Sequence, residues 1–388
     1  MKLSKTFGGT LLVAGTAIGA GMLALPVITG QGGFLPATIV FLICWLFSAS
    51  TGLLFLEICL DMPQNANLVT MASQLLGRPG KYAAWILYLF LFYCLTIAYT
   101  AGGGDFIYQV FGGGLPKPLT TLLFTTLFGS FVYIGTKAVD RVNYILMGGL
   151  ILTYILFIAF GFSQVEAKNL TTINWKYGFL ALPVMFTSFS YQGIIPTLNT
   201  YLERDPKRMR KAILLGSAIP LIAYLIWEFL ILGIVPTEGL IIAKNAGTNA
   251  ITPLRALLNN PTVYLIGEFF GFFALTTSFL GVTLGLLDFL SDSLEVKKTP
   301  TSKLILCSLI YFPPLIVVLI NPNIFLTALG YAGGIGCALL LGLMPILMTW
   351  VARYKRRYTH LNIQLPGGKP VLILLAAFVF FELMISLL

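Results

Sequence analysis

The stretch that decides the fold is Leu11-Leu12-Val13-Ala14-Gly15-Thr16-Ala17-Ile18-Gly19-Ala20-Gly21-Met22-Leu23-Ala24-Leu25-Pro26. It opens as an apolar half-helix, passes through small residues that carry a helix-propensity penalty, and resumes as a second half-helix containing proline. The form recurs as Leu182-Pro183-Val184-Met185-Phe186-Thr187, then Ser188-Phe189-Ser190-Tyr191-Gln192-Gly193, then Ile194-Ile195-Pro196. Gly15 and Gly19 taken alone fit a small-xxx-small packing face. Packing does not account for the second stretch, where Ser188, Ser190 and Gln192 set polar groups at membrane depth. A matched pair of Gly/Pro-interrupted spans in opposed halves is the sequence sign of an inverted-repeat transporter with a site near the bilayer midplane.

Around these stretches the chain reads as membrane-embedded throughout. Its 388 residues are 57% hydrophobic and 10% charged, against about 25% charged in an ordinary soluble domain. Runs long enough to cross a hydrocarbon core predict spans near 6–30, 34–60, 82–110, 118–136, 142–162, 175–202, 210–235, 262–290, 303–321, 324–351 and 370–388. The expected organisation is one membrane domain over 1–388, with repeats at 6–162 and 175–351 and an eleventh span at 370–388. The outer loop near 236–261 has room for short surface helices.

The net charge of +10 follows from topology. With the N-terminus cytoplasmic, 19 of the 24 Lys and Arg residues fall on the cytoplasmic side. They include Lys2, Lys5, Arg78, Lys81, Arg204, Lys298, Arg353 and Arg357, whereas Lys117, Lys168, Lys176, Lys244 and Arg255 lie outside. That bias is the positive-inside rule and does not imply nucleic acid. The run after Lys2 and Lys5 is read as a retained first span rather than a cleaved signal. Cys44, Cys59, Cys94, Cys307 and Cys337 lie in or beside apolar spans, and the single His360 sits in a basic loop. No zinc site and no cofactor is expected from that set.

The chemistry expected at the breaks follows from unpaired backbone. Non-helical backbone at membrane depth is tolerated where protein or a ligand satisfies it. The amides of Gly19, Ala20 and Gly21 begin the outer half-helix of span 1, where free donors and the positive dipole end suit a carboxylate. The carbonyls of Ala14, Gly15, Thr187 and Ser188 end the partner half-helices and suit an ammonium, and Thr16 lies between. Together these describe an α-amino acid. Tyr93, Thr96 and Tyr99 on span 3, with Phe189 and Tyr191 at the second break, offer walls for a flat ring. Gln192 is positioned to hydrogen-bond a phenol or indole tip.

These residues resemble the hydroxy and aromatic amino acid permeases of the amino acid–polyamine–organocation superfamily. The resemblance lies in Gly15 to Pro26 and in Phe186-Thr187-Ser188-Phe189. It continues through Gly216-Ser217-Ala218-Ile219-Pro220-Leu221, Thr277-Ser278-Phe279-Leu280-Gly281-Val282 and Leu284-Gly285-Leu286-Leu287-Asp288. It runs from the N-terminus to the last span and is nearest to tyrosine-specific permeases. It implies an all-α polytopic protein of leucine-transporter-like fold, a five-plus-five inverted repeat plus an eleventh helix. It also implies proton-driven import of an aromatic amino acid, through a bacterial inner membrane, with the C-terminus periplasmic. Gln192 departs from a histidine common in relatives, and glutamine does not titrate near neutral pH.

Alternatives stay open. Serine, threonine or another neutral amino acid is the rival cargo. Protons would be carried by buried acids, with Glu57 and Glu268 foremost and Asp105 and Glu228 behind them. Sodium would be held by hydroxyls of span 8, Thr277 and Ser278 beside Thr276. A membrane-embedded enzyme would need clustered acids or histidines at one face, and the loops offer mainly Arg and Lys. A channel would need a carbonyl filter or a charged ring, and neither is visible.

Overall fold

A computed structural model describes residues 4–63, 66–257, 261–297, 299–356 and 362–388, without the side chains of 255–257 and 261. Lys2, Lys298, Arg357 and His360 therefore lie outside the described residues, as does the side chain of Arg255. Below, inner denotes the face that carries the N-terminus.

Span 1 is two helices, Lys5–Ala17 and Gly21–Thr29, bent by 55° across the glycine-rich join. The Ser4 side chain caps the first helix by accepting from the Phe7 amide. Span 2 is Phe34–Asp61. Span 3 belongs to the long helix Leu68–Val110, which turns sharply at Gly77. Gly77 adopts φ 75°, which a Cβ would resist, and Pro79 follows it. Spans 4 and 5 are Lys117–Ile134 and Thr136–Gly161. Span 6 is assembled from short pieces, Trp175–Leu180, Leu182–Ser188, the turn Gln192–Ile194 and Ile195–Tyr201. Proline sits in the first turn of two of them, at Pro183 and Pro196, where its missing N–H costs nothing.

Spans 7, 8 and 9 are Pro206–Ile234, Pro261–Ser293 and Pro300–Ile320. Span 10 runs from Phe325 to Lys355 and is π-helical over Ala332–Leu343 and Val351–Lys355. Span 11 is Gly368–Ser386. Short helices at Thr237–Asn245 and Thr252–Leu257 occupy the expected outer loop. Among the described residues, eight helices and the one bent pair have the length and apolarity to cross a bilayer. Lys117–Ile134 and the broken 175–201 segment complete the set expected from sequence.

Packing divides the spans into two groups. Spans 1, 2, 6 and 7 pack together, and spans 3, 4, 5, 8 and 9 form the other set, while span 10 touches spans 3, 6 and 11. Span 10 approaches its neighbours closely through glycine: a Cβ on Gly336 would lie 3.0 Å from Leu91, and one on Gly333 would collide with the Pro183 carbonyl. The lipid-facing belt is apolar as hydrocarbon requires, with Leu46, Ile86, Ile145, Leu374 and Phe380 exposed.

The two faces differ. On the outer face, loops tie down the second half of span 1. The Ala250 amide donates to the Leu23 carbonyl at 2.9 Å, Asn174 N–H to Gly32 at 2.9 Å, and Lys244 Nζ to Gln31 Oε1 at 3.0 Å. On the inner face, Gly15 of span 1 and Gly281 of span 8 are both exposed, and a Cβ on either would meet nothing within 4 Å. The two groups separate there into a wedge.

Candidate functional site

The wedge closes at the break in span 1. Ile18 leaves the helix in an extended conformation, φ −71° and ψ 110°, and its amide still reaches the Ala14 carbonyl at 2.9 Å. The Ala20 amide donates instead to Ser278 Oγ of span 8 at 3.1 Å. A Cβ on Gly19 would lie 2.5 Å from that same Ser278 oxygen, and one on Gly21 2.7 Å from Ser188 Oγ of span 6. Glycine suits both positions because serine side chains of spans 8 and 6 come up against the backbone itself. Gly19 N–H has no protein acceptor among the described residues. One free and one hydroxyl-bound amide thus begin the outer half-helix.

The second break lies across from the first. Helix Leu182–Ser188 ends, Phe189 and Tyr191 take non-helical angles, and the chain re-forms as Ile195–Tyr201. Tyr224 of span 7 joins the two breaks. Its ring is fully buried, and its hydroxyl lies 2.7 Å from the Ala17 carbonyl and 2.8 Å from the Ser188 carbonyl. Those carbonyls end the inner half-helix of span 1 and the outer half-helix of span 6. Phe189 meets the Tyr224 ring edge-on at 5.2 Å and Phe41 at 6.0 Å. Tyr99 of span 3 is buried with its hydroxyl directed to the neighbourhood of Ser278. Two aromatic hydroxyls, one apolar ring and two helix ends therefore converge.

Other residues expected at the site have different partners. Gln192 is turned toward span 2, its Nε2 donating to Thr51 Oγ1 at 3.0 Å and Ser48 Oγ at 3.2 Å, while its Oε1 accepts from Tyr191 N–H at 2.9 Å. Ser48 donates to the Phe189 carbonyl at 2.6 Å, and Tyr191 OH to the Ser48 carbonyl at 3.1 Å. Tyr93 reaches the Leu309 carbonyl of span 9 at 2.9 Å, and Thr96 bonds back to Phe92 in its own helix at 2.7 Å. Thr16 bonds back to Leu12 at 2.8 Å, and Thr187 to the Leu329 carbonyl of span 10 at 2.8 Å. Gly15 borders the wedge.

Among the ion candidates, Thr277 bonds within its helix to Phe273 at 2.8 Å, and Ser278 accepts from the Ala20 amide. Glu57 is fully buried, with Arg353 Nε at 2.7 Å and Nη2 at 2.6 Å. Arg353 thereby ties span 2 to the inner end of span 10, and the amide of Gln364, in the loop before span 11, also donates to Glu57 at 3.0 Å. Glu268 lines an outer cavity between spans 3 and 8 together with Asp105, Gln109, Asn249 and Tyr264. Glu228 is fully buried, bonded by Thr29 Oγ1 through one oxygen and without a partner at the other among the described residues. Outside the spans, the Lys5 ammonium holds the Glu203 carboxyl below its usual range, and burial lowers Lys244.

Tyr224 carries no motif, and sequence reasoning passed over it. The signal was a hydroxyl at membrane depth one turn beyond Pro220 and one turn before the buried Glu228.

With this geometry in place, known proteins are informative. The model of the tryptophan/tyrosine permease family matches residues 2–386. The chain belongs to that family. This permease is 35% identical over 378 residues to the tyrosine-specific transport system 1 of Haemophilus influenzae, covering 96% of this chain and 94% of the relative. It is 32% identical over 385 residues to a tryptophan-specific transport protein of Pseudomonas aeruginosa, covering 96% and 91%. A glutamine transporter of Aliivibrio fischeri is 30% identical over 376 residues, covering 94% and 95%. Among solved structures, MhsT in complex with L-phenylalanine superposes with a TM-score of 0.62 at 14% identity, covering 97% of this chain and 98% of that one. The permease thus has the leucine-transporter-like fold and is a membrane transport protein, not an enzyme.

Proposed function

We propose that this permease imports an aromatic amino acid, tyrosine foremost, across a bacterial inner membrane by proton symport with alternating access. In this reading its N-terminus is cytoplasmic, its C-terminus periplasmic, and its repeats span 6–162 and 175–351. The observation that carries it is the meeting of two half-helix breaks at one point lined by Tyr99, Phe189 and Tyr224. The amides of Gly19, Ala20 and Gly21 are assigned to the carboxylate, as donors at a helix start favour an anion, with the Ala20 amide exchanging Ser278 Oγ for the ligand. The carbonyls of the half-helix ends, Ser188 foremost, are assigned to the ammonium. The rings of Phe189 and Tyr99 are assigned to the side chain, where edge and face contacts favour a flat partner. Relatives specific for tyrosine and tryptophan support the cargo. The glutamine-transporting relative favours a second reading, a neutral amino acid without a ring.

For the driving ion, Glu268 is the acid we assign, because it borders a cavity with an outer opening beside a second carboxylate, Asp105. Sodium is the weaker reading, since Ser278 Oγ already accepts the Ala20 amide, which leaves Thr277 Oγ1, whose proton goes to the Phe273 carbonyl, as the freer oxygen for a cation.

Two measurements test these readings. In inverted-repeat carriers of this kind, unlabelled tyrosine, tryptophan and phenylalanine should suppress labelled tyrosine uptake, and glutamine, serine and threonine should not. Suppression by glutamine alone would hand the site to the second reading. In sodium-free vesicles an acid-outside pH gradient should drive tyrosine accumulation, and Glu268→Gln should reduce it while counterflow stays measurable. Accumulation that requires sodium and ignores the pH gradient would remove the proton assignment.

A further inference from the structure

The half-helix ends at the two breaks share a shortage of protons. The Ala17 carbonyl and the Ser188 carbonyl both face the hydroxyl of Tyr224, at 2.7 and 2.8 Å. A hydroxyl has one proton, so it serves one of the two at a time. Neither carbonyl has another donor among the described residues. The phenol oxygen, in turn, accepts nothing, although it has lone pairs to offer. Three oxygens therefore surround one hydrogen in a fully buried place, and buried acceptors left unmet are costly. Both carbonyls also lie at the negative ends of their helices. Two N–H donors and a positive charge would complete the set.

We infer that Tyr224 supplies the third oxygen of the substrate's ammonium site, beside the carbonyls of Ala17 and Ser188. This rests on the amino-acid reading above. An ammonium has three N–H groups: one goes to the carbonyl that the phenol does not serve, and one to the phenol oxygen. Tyr224 keeps its own proton on the other carbonyl. The hydroxyl also holds the two half-helices in register, through the Ala17 and Ser188 carbonyls. Selection follows from the same count. A ligand with the ring but no amine leaves the shortage in place. Phe189 sets the reach, because its ring packs edge-on against Tyr224 at 5.2 Å and fixes the phenol's direction.

The test uses the full-length protein in proteoliposomes and counterflow of labelled tyrosine, which needs no ion gradient. Competitors are L-tyrosine, tyramine, which lacks the carboxylate, and 3-(4-hydroxyphenyl)propionate, which lacks the amine. Wild type should respond far more strongly to tyrosine than to the propionate. In Tyr224→Phe the half-inhibiting concentrations of tyrosine and tyramine should rise roughly tenfold, the scale of one hydrogen bond to a charged group, while that of the propionate stays put. Because the ratio is taken within one variant, a lower yield of folded protein does not distort it. Tyr224→His, which retains a ring nitrogen able to accept, is the second variant and should give an intermediate ratio. Equal weakening of all three competitors, or none, would overturn the assignment and leave Tyr224 as a structural strut. A Tyr224→Phe effect that appears only with sodium present would also overturn it, since the pocket would then hold a metal cation. If wild type itself fails to distinguish tyrosine from the propionate, the amino-acid reading falls instead.

Discussion

At the scale of single residues, Gly19 and Ser278 form the tightest point of the permease. The Ser278 hydroxyl accepts the Ala20 amide at 3.1 Å and sits 2.5 Å from where a Gly19 side chain would begin. The next nearest atom to that position is Ser278 Cβ, at 3.7 Å, so the serine oxygen is the whole obstacle. We predict that Gly19→Ala lowers tyrosine uptake at least tenfold while the protein still reaches the membrane, because Ser278 Oγ must swing off the Ala20 amide or the break must shift away from span 8. Ser278→Ala alone should cost about 1–3 kcal/mol, by leaving a buried amide unpaired. The double variant should be less impaired than the product of the two single losses, since the alanine methyl then occupies the space vacated by the oxygen. Purely multiplicative losses in uptake and melting temperature would show that the two residues do not touch in the working protein.

At the scale of elements, span 6 shows what was legible and what was not. Its break could be read from Ser188, Ser190, Gln192 and the flanking prolines, because helix-breaking composition is a local property. The direction of each side chain could not, because it depends on which span lies alongside. Gln192 has Ser48 and Thr51 as partners on span 2, more than 140 residues away in the chain. Nothing in the break itself marks them as near. Tyr93 likewise turns to the Leu309 carbonyl, a group invisible in any side-chain pattern. Tyr224 went unseen for the opposite reason: its role is set by two backbone carbonyls, and backbone leaves no residue signature. Beside the expectation that Gln192 meets a phenol tip, these partners set a testable alternative. Gln192→Leu strands the Ser48 and Thr51 hydroxyls and frees the break from span 2, at a cost of about 1–3 kcal/mol in stability. Uptake of tyrosine and of phenylalanine should fall by the same factor. A selective loss of tyrosine would return Gln192 to the substrate.

At the scale of the whole molecule, the spans and their order were legible, since hydropathy is summed over long stretches. The state of the two faces was not, because it depends on a few close approaches between distant spans. The outer face is tied by loop contacts such as Ala250 to Leu23, at 2.9 Å, while below Gly19 and Ser278 open space lies beside spans 1 and 8. Gly15 lies one turn inward of Gly19, and Gly281 one turn inward of Ser278, and both face open space. Small residues on both walls would let the helices meet if the groups rocked together, as close approach of membrane helices requires. That makes Gly281 a reporter of which face is open and of which side it opens to. The five native cysteines are all buried, so a cysteine placed at Gly281 should dominate labelling. With the N-terminus in the cytoplasm, a membrane-impermeant maleimide should label Gly281→Cys several-fold faster in inside-out than in right-side-out vesicles. Conditions that favour the outward-facing state should slow this labelling. Faster labelling from the periplasmic side would reverse the topology, and equal labelling that no ligand alters would mean that the wedge is a permanent groove rather than a gate.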